Sequence, residues 1–121
     1  MKNWLIKKPI NALLYSLSGV KTAIATERAF QQEAIVLVIL LIVIPISSRV
    51  DLLTGAFLIL SWTLVMVVEL LNSAIEACFD RVSMDDHALT KIGKDLGSAA
   101  VFLTILFNIG LWLAVGIKYF H

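Results

Sequence analysis

The sequence is poor in the residues that characterise most soluble proteins. Cys78 is the single cysteine in 121 residues, which excludes an internal disulfide and any metal site built from cysteines. Charged residues make up 16% of the chain, whereas soluble domains carry about a quarter. The net charge of +1 argues against nucleic-acid binding, because phosphate contacts need clustered positive charge. What the chain has instead is 60% hydrophobic residues and a mean hydropathy of +0.91, which predict an integral membrane protein.

The familiar glycine-rich nucleotide motifs are also missing. Gly93-Lys94 is followed by Asp95 rather than Ser or Thr, and Ala88 stands where a phosphate-binding loop needs its first glycine. The glycine-rich loop and the HRD and DFG elements of protein kinases are absent as well. Any nucleotide chemistry in this chain must therefore use an unrelated arrangement.

Three stretches lack charge, residues 34–48, 52–68 and 96–117. A membrane-spanning helix needs about 20 apolar residues. We therefore predict an all-α fold in a single domain, 1–121, with spans at about 30–48, 52–80 and 90–118. The second of these includes an extension beyond the membrane. The short connection at 47–51 makes the first two spans an antiparallel hairpin.

A further helix is predicted before the first span, at about 3–26. Its apolar residues recur every three or four positions, which indicates an amphipathic helix lying on the membrane surface. The alternative is that its apolar face packs onto other protein. Eight lysines and arginines fall on one side of the membrane, and only Arg49 and Lys118 fall on the other. The positive-inside rule then places the N-terminus in the cytoplasm and the C-terminus outside.

Polar residues align where the second span leaves the membrane. Glu69, Asn72, Glu76 and Asp80 are spaced i, i+3, i+7 and i+11, so they share one helix face. Stacked carboxylates repel one another unless a cation, a proton or a basic partner lies among them. For any one of these residues, solvation of a helix end is the simpler interpretation. Four aligned below a hydrophobic span favour a functional site.

Two more polar groups fall at the same predicted depth, Glu27 with Glu33 and Lys94 with Asp95. Carboxylates and an amide, with a lysine nearby, suit Mg²⁺ and phosphate better than zinc. His87 and His121 are too isolated to form a zinc site. The residues alone thus predict a membrane protein with an acidic, magnesium-binding site on its cytoplasmic side.

Three segments carry a resemblance to a known family. Residues 69–81 (ELLNSAIEACFDR), 93–100 (GKDLGSAA) and 27–33 (ERAFQQE) resemble the signatures of the prokaryotic diacylglycerol kinases. The resemblance covers nearly the whole chain. It implies a homotrimer in the bacterial inner membrane, with active sites between subunits, that transfers the γ-phosphate of MgATP to the primary hydroxyl of diacylglycerol.

The resemblance also implies residue roles. Glu69 corresponds to the general base, Asn72 keeps that site in order, and Lys94 neutralises charge on the transferring phosphoryl group. Glu27 and Glu76 correspond to the carboxylates that bind Mg²⁺. The positions matching ATP contacts, besides those two carboxylates and Lys94, are Lys8, Tyr15, Asp80, Asp85, Asp86, His87 and Asp95. The positions matching lipid contacts, besides Glu69, are Ala29, Phe30, Glu33 and Ser98.

Two alternatives remain open. An undecaprenol kinase of the same superfamily would share the metal and base residues, although Asn72-Ser73 and residues 94–98 look more like the diacylglycerol branch. A non-enzymatic helix bundle is the alternative from another class. As an ion relay it would need ionisable groups in mid-span, where the only polar candidates are Ser61, Thr63, Thr104 and Asn108. As a purely structural bundle it leaves Glu69 without a reason.

Overall fold

The computed structural model describes residues 2–82 and 87–120, and it is built from four helices. They are α1 (Lys2–Thr26), α2 (Arg28–Ile46), α3 (Leu52–Val82) and α4 (Ala88–Phe120). The prediction of an all-α fold with three long apolar helices is confirmed. Helices α2, α3 and α4 are each long and apolar enough to cross a membrane. At 1.5 Å per residue, α3 and α4 are about 46 and 50 Å long, well beyond the hydrocarbon core of about 30 Å.

The helices end where the local sequence dictates. Glu27 adopts an extended backbone that separates α1 from α2, and the side chain of Gln31 donates to the carbonyl of Ile24 at 2.7 Å across this break. Pro45 lies in the last turn of α2, before Ser47 leaves the helix. Asp51 caps α3, because its carboxylate accepts hydrogen bonds from the backbone and hydroxyl of Thr54 at 3.2 and 2.7 Å.

Helix α3 is the centre of the bundle, and both α2 and α4 pack against it in antiparallel fashion. The register with α4 is shown by Ser61 with Asn108 and by Asp80 with Lys94, which are hydrogen-bonded partners. The register with α2 is shown by Trp62, which bonds to the Glu33 carbonyl, and by Ser73, which bonds to Glu27 just before α2. The partners of successive residues along α3 therefore occur in reverse order along each neighbouring helix.

The buried core is small and lies where α1, α2 and α3 meet. Ala23, Phe30 and Met66 form one buried cluster there, with Trp62 among the half-buried residues packed around them. Leu58 and Val65 of α3 are buried as well. Most large apolar side chains remain exposed in the single chain, including all those of the predicted apolar stripe of α1, such as Leu13 and Leu17. So much apolar surface requires lipid or further protein around it.

Candidate active site

Four acidic side chains converge where α2 and α3 meet near the α1–α2 break. Glu69 on α3 lies close enough to Glu27 and Glu76 to interact with them electrostatically, and Glu33 on α2 interacts with Glu69 in the same way. The repulsion anticipated from the helical spacing is therefore present, and residues of α2 add to it. Such a cluster favours a cation or a proton among its members.

Each of the two predicted metal carboxylates has one hydrogen-bond donor near it. The Asn72 amide donates to Glu76 Oε1 at 3.5 Å, and the Ser73 hydroxyl donates to Glu27 Oε2 at 3.4 Å. Both hydrogen bonds are at the long limit and therefore weak. Ser73 belongs to the segment 69–81, but the sequence does not predict it as a site residue. Its hydroxyl lies next to the aligned carboxylates of α3 in the sequence. Its contact with Glu27 can be recognised only when the position of α2 against α3 is known.

The residues described do not form a closed metal cage. Within residues 2–82 and 87–120, no three His, Cys, Asp or Glu side chains are grouped so that they could hold a metal ion. Mg²⁺ characteristically takes one or two carboxylates and completes its shell with water and substrate phosphates. Hard oxygen donors held only weakly, as at Glu27 and Glu76, fit that use of the ion.

Asn72 is buried, and its position is fixed by the approach of α4. Its side-chain oxygen is buried, has no hydrogen-bond partner among the described residues, and lies against Gly97. A β-carbon at position 97 would overlap that oxygen. A small residue at position 97 thus permits the close approach of α4 to α3 directly beside the site.

The two predicted nucleotide-binding residues of α4 are engaged in ion pairs. Lys94 Nζ lies 2.7 Å from Asp80 Oδ1 across α3 and α4, and Lys91 Nζ lies 2.6 Å from Asp95 Oδ2 within α4. Lys94 and Asp80 are thus brought together with the acidic face of α3, as their assignments to one site require. Lys91 was not predicted to belong to the site, although its i, i+4 spacing to Asp95 is visible in the sequence.

A cavity of about 690 Å³ lies between α1 and α3, and Glu27 is the acidic residue that lines it. Its lining includes Tyr15 of α1, Glu27, and Leu70 and Ser73 of α3. Tyr15 therefore faces the same space as Glu27, although the two are three turns apart. Lys8 lies on α1 and is exposed.

The remaining predicted site residues lie in different environments. Phe30 and Glu33 are buried on α2, whereas Ala29 and Ser98 are exposed. His87 is exposed and accepts a hydrogen bond from the backbone of Leu89 at 3.1 Å, where α4 begins. Asp85 and Asp86 lie outside the described residues.

Comparison with known proteins identifies the family of this chain. Residues 14–116 match the model of the prokaryotic diacylglycerol kinase family. A diacylglycerol kinase of Escherichia coli is 45% identical over 103 residues, covering 85% of this chain and 84% of that protein. One from Pseudomonas aeruginosa is 41% identical over 112 residues, covering 91% and 89%. One from Helicobacter pylori is 37% identical over 106 residues, covering 88% and 82%. The chain belongs to the prokaryotic diacylglycerol kinase family.

Proposed function

We propose that this protein is a lipid kinase that transfers the γ-phosphate of ATP to the primary hydroxyl of diacylglycerol, yielding phosphatidate and ADP. Family membership and the names of the relatives support the activity. The structural observation that carries it is the electrostatic proximity of Glu69 to Glu27 and Glu76, together with the open cavity that Glu27 lines. These carboxylates lie at the end of a span, where a lipid hydroxyl and a soluble nucleotide can meet.

Glu69 is the general base in this proposal. It takes the proton from the lipid hydroxyl while that oxygen forms a bond to the γ-phosphorus, and the bond from phosphorus to the β–γ bridging oxygen breaks. Its location supports the role, because it is half-buried at the boundary between the apolar run of α3 and the acidic cluster. A base must lie within hydrogen-bond reach of its proton, and this boundary is where the hydroxyl of a membrane lipid arrives.

Glu27 and Glu76 are the residues that would hold Mg²⁺ together with the ATP phosphates. When bound, the ion neutralises phosphate charge and aligns the reacting groups. Asn72 orients Glu76, since its amide donates to that carboxylate. Ser73 has the same relation to Glu27.

Lys94 supplies positive charge for the transferring phosphoryl group, an electrostatic contribution that is large in phosphoryl transfer. Its ion pair with Asp80 holds the ammonium group at the end of the acidic face of α3. Asp80, Asp95, His87, Tyr15 and Lys8 are assigned to the nucleotide side. Ala29, Phe30, Glu33 and Ser98 are assigned to the lipid side.

We further propose a homotrimer in the bacterial inner membrane, with the N-terminus and α1 on the cytoplasmic side. The small core and the exposed apolar faces of α1 to α4 support association with lipid and with other copies. Three spans alone leave the acidic face of α3 open, and a neighbouring subunit can close it. The excess of lysine and arginine at one end supports the orientation.

The experiment is Mg²⁺-dependent phosphate transfer from ATP in mixed micelles, with diacylglycerol and undecaprenol offered separately. Glu69→Gln and Glu76→Gln are compared with Asp51→Asn, which removes a carboxylate at the opposite end of α3. We expect transfer to diacylglycerol that is lost in the first two variants and kept in the third. Preference for undecaprenol would move the protein to the other branch of the superfamily, and transfer to neither lipid would refute the kinase assignment.

A further inference from the structure

Trp62, near the middle of α3, joins α3 to α2 through a hydrogen bond as well as through packing. Its indole N–H donates to the backbone carbonyl of Glu33 at 2.9 Å. Its ring packs against the core formed by Ala23, Phe30 and Met66. Among the described hydrogen bonds it is the one that links the apolar part of α3 to the backbone of α2.

The bond fixes a particular turn of α2. A helical carbonyl already accepts a hydrogen bond from its own helix, so the indole occupies the second lone pair of the Glu33 oxygen. The indole is thus bonded to the backbone of Glu33, and the side chain of Glu33 lies in the acidic cluster. The height and rotation of Glu33 relative to α3 are therefore set by Trp62 as well as by packing.

The side chain of Glu33 depends on that placement. It is only 9% exposed, and its Oε2 atom is buried with no hydrogen-bond partner among the described residues. Its carboxyl group interacts electrostatically with Glu69. Because Oε2 has no hydrogen bond within the described part of the chain to hold it, its position depends on the packing of α2 against α3.

Trp62 and Glu69 share one face of α3. They are seven residues apart, about two helical turns, with Met66 of the core between them. Helix α3 thus holds the backbone of Glu33 at one point and presents Glu69 to its carboxyl group at another. In apolar surroundings water does not compete for the indole donor, so the attachment persists.

We propose that Trp62 is a positioning residue for lipid phosphorylation, its indole N–H holding α2 so that Glu33 stays beside Glu69. The inference rests on the proposed kinase function. Because Glu33 and Glu69 lie on the lipid side of the site, loss of the bond should affect turnover and the KM for diacylglycerol. The KM for ATP should be unaffected.

The test replaces Trp62 by β-(3-benzothienyl)alanine, which puts sulfur in place of the indole N–H and keeps the shape of the ring. Trp62→Phe is a second variant, and the same benzothienyl replacement at the half-buried Trp112 is the control. Kinetic constants are measured in mixed micelles with diacylglycerol and ATP varied separately, and thermal unfolding is followed in parallel. We expect kcat/KM for the lipid to fall about tenfold at position 62, with KM for ATP and the unfolding midpoint unchanged.

Wild-type kinetics in both Trp62 variants would overturn the inference. So would an equal loss toward ATP and lipid that follows lowered thermal stability, or an equal loss in the Trp112 control, because either result indicates a purely structural role. Wild-type protein that phosphorylates no lipid would refute the proposed function itself, and the role of Trp62 with it.

Discussion

The side-chain oxygen of Asn72 lies directly against the backbone of Gly97, at the point where α3 and α4 come closest to the acidic cluster. The oxygen has no hydrogen-bond partner in the described part of the chain. The amide nitrogen on the other side of the same group donates to Glu76. A glycine on α4 therefore determines how a carboxylate on α3 is held.

Gly97→Ala should disrupt the site without unfolding the protein. The added β-carbon overlaps the Asn72 oxygen, so the amide must rotate away and release Glu76. We expect the rate of phosphate transfer to fall about tenfold or more, with a higher Mg²⁺ concentration needed for half-maximal rate.

The matched controls for this substitution are Gly110→Ala and Gly116→Ala on the same helix. A β-carbon at either position meets nothing within 4 Å. Both variants should keep wild-type activity and gain up to about 1 kcal/mol of stability, because alanine favours the helix over glycine. Normal Mg²⁺ dependence in Gly97→Ala would refute the role assigned to Gly97.

Ser61 and Asn108 form a buried polar pair between α3 and α4. The Asn108 amide donates to the Ser61 hydroxyl at 2.9 Å, and that hydroxyl donates to the Leu58 carbonyl at 2.8 Å. A double-mutant cycle with Ser61→Ala and Asn108→Ala should give a coupling energy of about 0.5–1.5 kcal/mol, the range for such pairs in membrane proteins. Unfolding in mixed micelles measures it, and strictly additive losses would contradict the pairing.

Asp51 should make the protein sensitive to acid. Hydrogen bonds from the Thr54 side chain, from the Tyr119 hydroxyl and from the Thr54 backbone hold the pKa of Asp51 well below its usual range. A carboxylate with a lowered pKa stabilises the fold fully above its unfolded pKa, about 3.9, and loses that contribution as the pH falls toward the folded pKa.

The measurement is the stability of wild type and of Asp51→Asn as a function of pH. Their difference should be constant above about pH 5 and should shrink below about pH 4. Tyr119→Phe removes one of the donors to Asp51, so the pKa of Asp51 is lowered less. The loss of stability should then be smaller than in the wild type and complete at a higher pH. A difference that is independent of pH would show that Asp51 does not act through its charge.

Lys94→Met should separate catalysis from stability. Lys94 and Asp80 are 40% and 67% exposed, so solvent screens their ion pair and it contributes little to folding. Loss of the ammonium group should nevertheless lower kcat about a hundredfold, because in the proposed mechanism it neutralises developing phosphate charge. Lys91→Met, which breaks the neighbouring ion pair with Asp95, is the control and should keep the rate within about twofold.

The helical part of the structure follows closely from the sequence. Uncharged runs locate the three apolar helices, and the i, i+3, i+7, i+11 spacing places Glu69, Asn72, Glu76 and Asp80 on one face of α3. These are local properties, since a helix fixes the relative directions of its own side chains. A small residue in a helix, such as Gly97, likewise indicates from the local sequence alone that a neighbouring helix can approach closely.

Contacts between helices could not be predicted in the same way. Ser73 with Glu27 and Lys94 with Asp80 are separated by 46 and 14 residues, and each depends on the register between two helices. A tryptophan in the middle of an uncharged run, such as Trp62, predicts a packing residue. It does pack, but its hydrogen bond to the Glu33 carbonyl depends on where α2 docks, and no spacing within α3 encodes that.

The fixed antiparallel register of α3 has a consequence for how such chains can change in length. Inserting one residue between Ser61 and Asn72 would turn Asn72 by about 100° relative to Ser61, and would turn Glu69 as well where the insertion precedes it. Either the buried pair or the acidic cluster would then be lost. Insertions and deletions in descendants of this sequence should therefore accumulate in the connections between helices and be eliminated from this stretch of α3.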